Sequence, residues 1–379
     1  MPVASILDSS AKDHPERAAQ SADKQKKIRF PGSEGFQTVL KSRVNAYFAR
    51  LNRSPRDSVR MYVKTATIIT WFFTSYAFLV FAPLPTWAGI MISISLALAA
   101  AAVGFNIQHD GNHGAYSGSR LINKLMALTL EMVGGSSYVW SYKHNKMHHT
   151  YANIHGHDDD IDLGFLGRLC PHQKRFYFHR YQHFYIWGLY GFLQIKWAFF
   201  DDFQNAIRGR IGKLPFPRPK GLDLLIFLGG KLFFFSLVFV IPAFFHPFWV
   251  VCLFYLLTSC TIGVITSVIF QLAHCLEEAD FPEPDPQSLQ MKNEWMIHQI
   301  ETTVNFARKN HLLNWYIGGL NFQIEHHLFP RISHVHYPAL SEIVENTCRE
   351  FGIGYFAHPT FLSSLKSHYL FLQKMGRPT

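Results

Sequence analysis

Eight histidines and one glutamine fall into four clusters at the edges of apolar stretches. They are His109 and His113 in His-Asp-Gly-Asn-His; His144, His148 and His149 in His-Asn-Lys-Met-His-His; His274 in Gln-Leu-Ala-His-Cys; and Gln323, His326 and His327 in Gln-Ile-Glu-His-His. Neutral imidazole is the commonest biological metal ligand. A four-residue spacing puts His109 and His113, and likewise His144 and His148, one turn apart on the same helix face. His149 is turned one residue further round, and Gln323, His326 and His327 form the matching i, i+3, i+4 set. If these helices converge, nine side chains point into one volume. A structural zinc takes about four protein ligands and a catalytic zinc about three plus water, so nine positions fit two metal ions better. Imidazole ligation suits iron, zinc, copper and nickel alike, which leaves the metal open. The first cluster is not a zinc-protease helix, because Asp110 stands where that chemistry needs Glu and Gly111 interrupts the helix.

The elements that must position these residues are apolar. The mean hydropathy of +0.03 hides a sharp segregation. Thr65 to Gln108 contains no Asp, Glu, Lys or Arg, and Leu224 to Leu276 contains only Lys231. About 20 apolar residues cross a bilayer core, so each stretch holds two crossings. Each also has a break where a pair of helices would turn, at Pro83-Leu84-Pro85 and at His246-Pro247, since proline cannot donate within a helix. The expected fold is all-α and integral to the membrane: four transmembrane helices in two hairpins, at about 66–83, 87–108, 223–243 and 248–273, with a cytosolic helical cap carrying the histidines. Neither hairpin tip bears Lys or Arg, which makes the N-terminal, central and C-terminal segments cytosolic by the positive-inside rule. All four clusters then lie on one side. Hydrolysis of a soluble substrate does not need a membrane, whereas oxidation of a hydrocarbon chain does.

The rest of the chain divides simply. Residues 1–35 read as a disordered polar N-terminus, 36–350 as the membrane domain and 351–379 as a cytosolic tail. Residues 36–64 look like a basic amphipathic helix on the cytosolic surface. Leu121–Met132 and Phe184–Phe200 suit helices lying at the interface. The net charge of +10 serves topology, anionic lipid or an acidic partner; its spread over membrane-flanking segments argues against nucleic acid. Cys170, Cys252, Cys260, Cys275 and Cys348 show no paired spacing, so a disulfide framework is not expected. His155, His157, His172, His179, His183, His298, His311, His334, His336, His358 and His368 are by default surface histidines. Asp110, Asp158, Asp159, Asp160, Asp162 and Glu325 flank the clusters and could hold the second ring nitrogen of a ligand, as could Asn321. Lys231, near a helix centre, costs about 2.5–3.5 kcal/mol to insert, and its role is left unassigned.

The ordered set H-x-x-x-H, H-x-x-x-H-H and Q-x-x-H-H, with the hairpins, closely resembles the membrane-bound fatty acyl desaturases over roughly residues 60 to 350. The resemblance implies two non-haem iron ions at the cytosolic face, O2 as co-substrate, and removal of two hydrogens from an acyl chain carried on coenzyme A, a lipid or a carrier protein. It makes His109, His113, His144, His148, His149, His326 and His327 iron ligands, with His274 matching an additional one. Gln323 stands where many relatives have histidine, as in front-end desaturases, which act between an existing double bond and the carboxyl end. The His-Pro-Gly-Gly motif of a fused haem domain is absent, so electrons are expected from a separate ferredoxin or free haem carrier. Two other readings share features of the pattern: a related membrane hydroxylase or sphingolipid desaturase with the same ligand set, and a non-enzymatic membrane metal-binding or transport protein. The nearly uncharged spans count against an ion path.

Overall fold

The computed structural model describes residues 27–32 and 35–378. Four helices are long and apolar enough to cross a membrane: Val59–Phe81, Thr86–His113, Leu222–Ala243 and Phe248–His274. They pair as the two expected hairpins. The tips are joined where His246 Nε2 donates to the Val80 carbonyl at 2.9 Å. The second span packs between the first and the fourth. Small residues make that packing close: Ala97, Ala99, Ala100 and Ala102 are buried beside Ile68, Phe72 and Ile262. The third span relaxes into a π-helical turn at Ser236–Val240, just before Pro242. Proline has no N–H to give to the carbonyl five residues back. The Tyr76 hydroxyl donates to that Leu237 carbonyl instead, at 2.7 Å.

The first span begins at Val59, earlier than the sequence suggested, and the surface helix before it stops at Leu51. That helix, Phe36–Leu51, buries Phe36, Leu40, Val44 and Phe48 at four-residue intervals. They pack onto Leu340 and Val344 of the helix Tyr337–Glu350, each worth about 1.5–3 kcal/mol of apolar burial. The expected disordered N-terminus lies mostly outside the described residues. Within it, however, Ile28 is buried with Tyr151, Ile154 and Met291, and Arg29 pairs with Gln290 in a parallel bridge.

Leu121–Met132 is two short helices, Arg120–Ala127 and Thr129–Met132. The aromatic stretch after Phe184 is broken into Gln182–Gly191, Leu193–Lys196 and a π turn, the first two lying along the fourth span. Gly263 permits that approach, since a Cβ there would sit 2.4 Å from the Gly191 carbonyl oxygen. The C-terminal residues are ordered against the rest of the chain. Ala357–His358 pairs with Asn305–Phe306, and the helix Phe361–Gly376 buries Phe371 and Leu372 against Tyr190 and Cys275. Their apolar content demands a partner that sequence order did not reveal.

Lys231 is structural. Its ammonium meets Asp202 at 2.7 Å, the Gly134 carbonyl at 2.8 Å and the Ala198 carbonyl at 3.3 Å. It thereby ties the third span to the segments that carry Gly134 and Asp202.

Candidate metal centre

Each cluster sits on a helix whose local geometry turns its rings inward. The second span passes through a π turn, Val103–Gln108, and continues as His109–His113. Gly111 lets this helix touch its neighbour, because a Cβ there would lie 2.6 Å from the Ala127 nitrogen. The next cluster is on a π helix, Ser141–His148, rather than the expected α helix. A π helix bonds i to i+5, so His149, five residues after His144, also comes round. Their Nε2 atoms lie 3.2 Å apart. His274 is the last residue of the fourth span. Gln323, His326 and His327 lie on the short buried helix Gln323–Leu328.

The clusters converge. Candidate ligand atoms within 4.8 Å of one another form one group of His109, His113, His144 and His326, and another of His148, His274 and His327. His149 groups with His326 and His327, between the two. Its ring centroid is 4.6 Å from those of His113 and His326 and 4.3 Å from that of His327. All eight rings are buried, the most exposed being His113 at 8%.

Outward-facing nitrogens are held by fixed partners. His148 Nδ1 lies 3.0 Å from Asp158, and His274 Nδ1 donates to the Thr302 carbonyl at 3.1 Å. His327 Nδ1 lies 2.7 Å from Gln299 Oε1, and His326 Nδ1 3.3 Å from the Tyr337 hydroxyl. Such contacts fix the tautomer and leave the other nitrogen for a metal. Nε2 of His109, His113, His326 and His327 is buried without a hydrogen-bond partner, as is Nδ1 of His149. Burial and then neighbouring rings hold His144, His149, His326 and His327 well below the ordinary imidazole range. They are therefore neutral, the form that ligates. For His148 burial also opposes the charge, but Asp158 outweighs it and raises the proton affinity.

Orphaned, neutral, converging imidazoles are costly unless something occupies the space between them. The donor set suits borderline divalent ions such as iron. Two groups with a shared border suit two ions better than one.

The flanking acids divide. Asp158 holds a ring; Asp159 and Asp160 pair with Lys143 at 3.0 and 3.2 Å, with Asp160 3.7 Å from His148. Asp162 caps the Gly164 N–H at 2.8 Å. Glu325 faces away from the rings, bonded to Asn305 and Tyr355 at 2.8 and 2.9 Å; burial pushes its carboxyl up to about 7. Asn321 donates to the Ala307 carbonyl at 3.4 Å. Gln323 is buried, and its amide makes none of the hydrogen bonds that fix the rings.

His179, His183, His298, His334 and His368 are buried, contrary to the surface default. His368, for example, donates to the Cys275 carbonyl at 2.7 Å and accepts from the Tyr190 hydroxyl at 2.9 Å. Among the described residues, none of these five joins a ligand group. Sequence reasoning missed Gln299, Thr302 and Tyr337, and it carries no local signal for them.

Cavities flank the cluster on both sides. A small apolar one touches His109 and shares Ala100, Val133, Gln194 and Ile262 with a cavity of about 380 Å³ between the spans, which reaches the Pro83–Pro85 turn. On the other side a polar cavity of about 570 Å³ meets His113 and is lined by Arg56, Arg120, Lys124 and Arg331.

Comparison with known proteins agrees with this architecture. The profile of the fatty acid desaturase family matches residues 85–359. The chain belongs to that family. This desaturase is 42% identical to an sn-1 linoleoyl-lipid 6-desaturase of a Synechocystis species, over 93% of this chain and 98% of the relative. It is 41% identical to the enzyme of the same description from Arthrospira platensis, over 92% and 95%. An acyl-lipid (8-3)-desaturase of the moss Physcomitrium patens is 36% identical, over 91% of this chain and 72% of the relative. The desaturase is thus an enzyme of fatty acyl desaturation, with four helices long and apolar enough to cross a membrane.

Proposed function

We propose that this desaturase inserts a cis double bond on the carboxyl side of an existing one, in a lipid-linked acyl chain such as linoleoyl. It would use O2, two iron ions and electrons from a separate ferredoxin or free haem carrier. The observation that carries this reading is the convergence of eight buried imidazoles, several with an unpartnered nitrogen, beside an apolar cavity between membrane spans. His109, His113, His144 and His326 would hold one ion and His148, His274 and His327 the other, with His149 between. Gln323 would offer an amide, a weaker ligand, at the edge of this set. When bound, the ions would supply O2 activation, and the two hydrogens removed from the acyl chain, together with two electrons from the donor and two protons, would reduce O2 to two waters.

The protein's own share is positioning, a main source of rate in such sites. Ala100, Val133 and Ile262 would hold the methyl-side chain dry. The polar cavity beside His113 would leave little room for methylenes between the head and the reacting carbons. The relatives' names and Gln323 support carboxyl-side chemistry. The scarcity of Lys and Arg at the hairpin tips supports a cytosolic site and cytosolic termini.

The test is fatty acid profiling with double-bond localisation in cells fed linoleate and expressing this chain or its His148→Ala variant. A new carboxyl-side bond with the intact chain alone is expected. A hydroxylated product, or normal turnover by His148→Ala, would overturn the reading.

A further inference from the structure

One charged cluster beside the ligand set is left without a role. Asp110 follows His109, is buried, and its Oδ1 lies 4.0 Å from His109 Nδ1. Its other oxygen, Oδ2, accepts from the Ser333 hydroxyl at 3.1 Å, from the His334 N–H at 3.3 Å and from His334 Nδ1 at 3.0 Å. With Nδ1 donating, His334 Nε2 is an acceptor. The Lys64 ammonium of the first span meets it at 3.0 Å. Lys64 is buried, with the Trp315 ring 5.3 Å away.

The order is therefore carboxylate, imidazole, amine, three buried groups joined by contacts of 3.0 Å each. A buried polar group without a partner is costly, and here each of the three is satisfied by the next. The imidazole transmits direction as well. Its two nitrogens face two partners, so the ring cannot turn without breaking one bond. The carboxylate is thus held beside the His109 ring by a contact that crosses 224 residues of sequence. The segment that supplies it also brings Tyr337 to His326.

We infer that Lys64 and His334 are positioning residues for the metal group containing His109, holding the Asp110 carboxylate in place beside that ring. The inference rests on the two-ion reading above. A ligand whose supporting partner is lost binds metal about 10–100-fold more weakly. The effect should fall on the group of His109, His113, His144 and His326 and spare that of His148, His274 and His327.

The test uses the full chain purified in detergent after growth on isotopically enriched iron. Iron per chain is measured, with a Mössbauer spectrum and a thermal unfolding curve, for wild type, His334→Phe, His334→Gln and Lys64→Met. Glutamine can donate to Asp110 and accept from Lys64, so His334→Gln should restore what His334→Phe loses. Expected are two irons in wild type, near one in His334→Phe with one spectral component retained, and at least a tenfold weaker second site in Lys64→Met. Should His334→Phe fail to fold, Lys64→Met decides alone, since it leaves the histidine segment intact. Two irons with wild-type spectra in Lys64→Met, or equal loss in His334→Phe and His334→Gln, would overturn the inference. A wild type lacking two irons would instead overturn the reading beneath it.

Discussion

Replacing Asp158 by Asn tests the site at a buried support. The carboxylate of Asp158 is fully enclosed and accepts from His148 Nδ1, the Asn153 N–H and the Asp160 N–H, each at 3.0 Å. The first two share Oδ2 and the third uses Oδ1. An asparagine can place its carbonyl oxygen toward His148 and Asn153, but its NH2 then faces the Asp160 N–H, donor to donor. Hydrogen bonds to a charged acceptor contribute about 1.5–3 kcal/mol and neutral ones about 1 kcal/mol. Two weakened bonds plus one unsatisfied donor pair give roughly 3–4 kcal/mol of lost local stabilisation. The part reaching the metal should be about 10–100-fold in affinity, or about 1.4–2.7 kcal/mol.

The pH dependence of Asp158→Asn sharpens the test. Asp158 raises the proton affinity of His148 against the effect of burial, and a metal must displace that proton. Wild-type affinity should fall as pH drops through the raised value. Without the carboxylate, burial dominates and proton competition moves to lower pH. The variant should therefore bind more weakly at high pH and lose less on acidification. In the metal-free protein, the raised His148 value stabilises the fold below the unfolded value of about 6.5 and is lost as pH rises through the folded one. Asp158→Asn should remove that low-pH contribution. Iron retained against graded chelator at several pH values measures the first effect, and thermal unfolding the second. Wild-type iron affinity with an unchanged pH profile would refute the assignment of Asp158 as the group that orients His148.

Lys231→Met leaves Asp202 buried and unpaired, which typically costs about 3–5 kcal/mol; a lowered unfolding temperature in detergent, largely recovered by adding Asp202→Asn, is expected. Gly318→Ala meets two obstacles, a backbone φ of +62° and a Cβ only 2.3 Å from the Phe105 carbonyl oxygen. The cost should be about 1–3 kcal/mol, with loss of iron because Phe105 lies in the π turn that precedes His109. Ala100→Phe fills the border shared by the two apolar cavities. At about 0.8 kcal/mol per methylene, exclusion of three or four methylenes lowers kcat/KM on an 18-carbon lipid roughly 50–200-fold and spares shorter chains. Equal loss at every chain length would show that the cavity does not hold the methyl end.

Sequence alone determined the spans, the hairpins and the inward set of histidines. A bilayer demands long uncharged helices, and a helix fixes the relative direction of residues four apart, so both constraints are local. The i, i+4 pairing of His109 with His113 survives because their helix continues the second span without interruption. The start of the first span was misplaced by several residues because Lys64 looked like the end of a solvated helix. Its contacts with His334 and the Trp315 ring accommodate a buried lysine at that position. The tertiary structure decided everything that depended on a partner far along the chain. Gln299 reaches His327 across 28 residues, His334 reaches Asp110 across 224, and the C-terminal helix covers Tyr190 through His368 across 178. No periodicity encodes such contacts. They arise because a buried polar group must find a hydrogen bond wherever the fold brings one within reach. For the same reason, several histidines assigned by default to the surface proved to be buried and bonded.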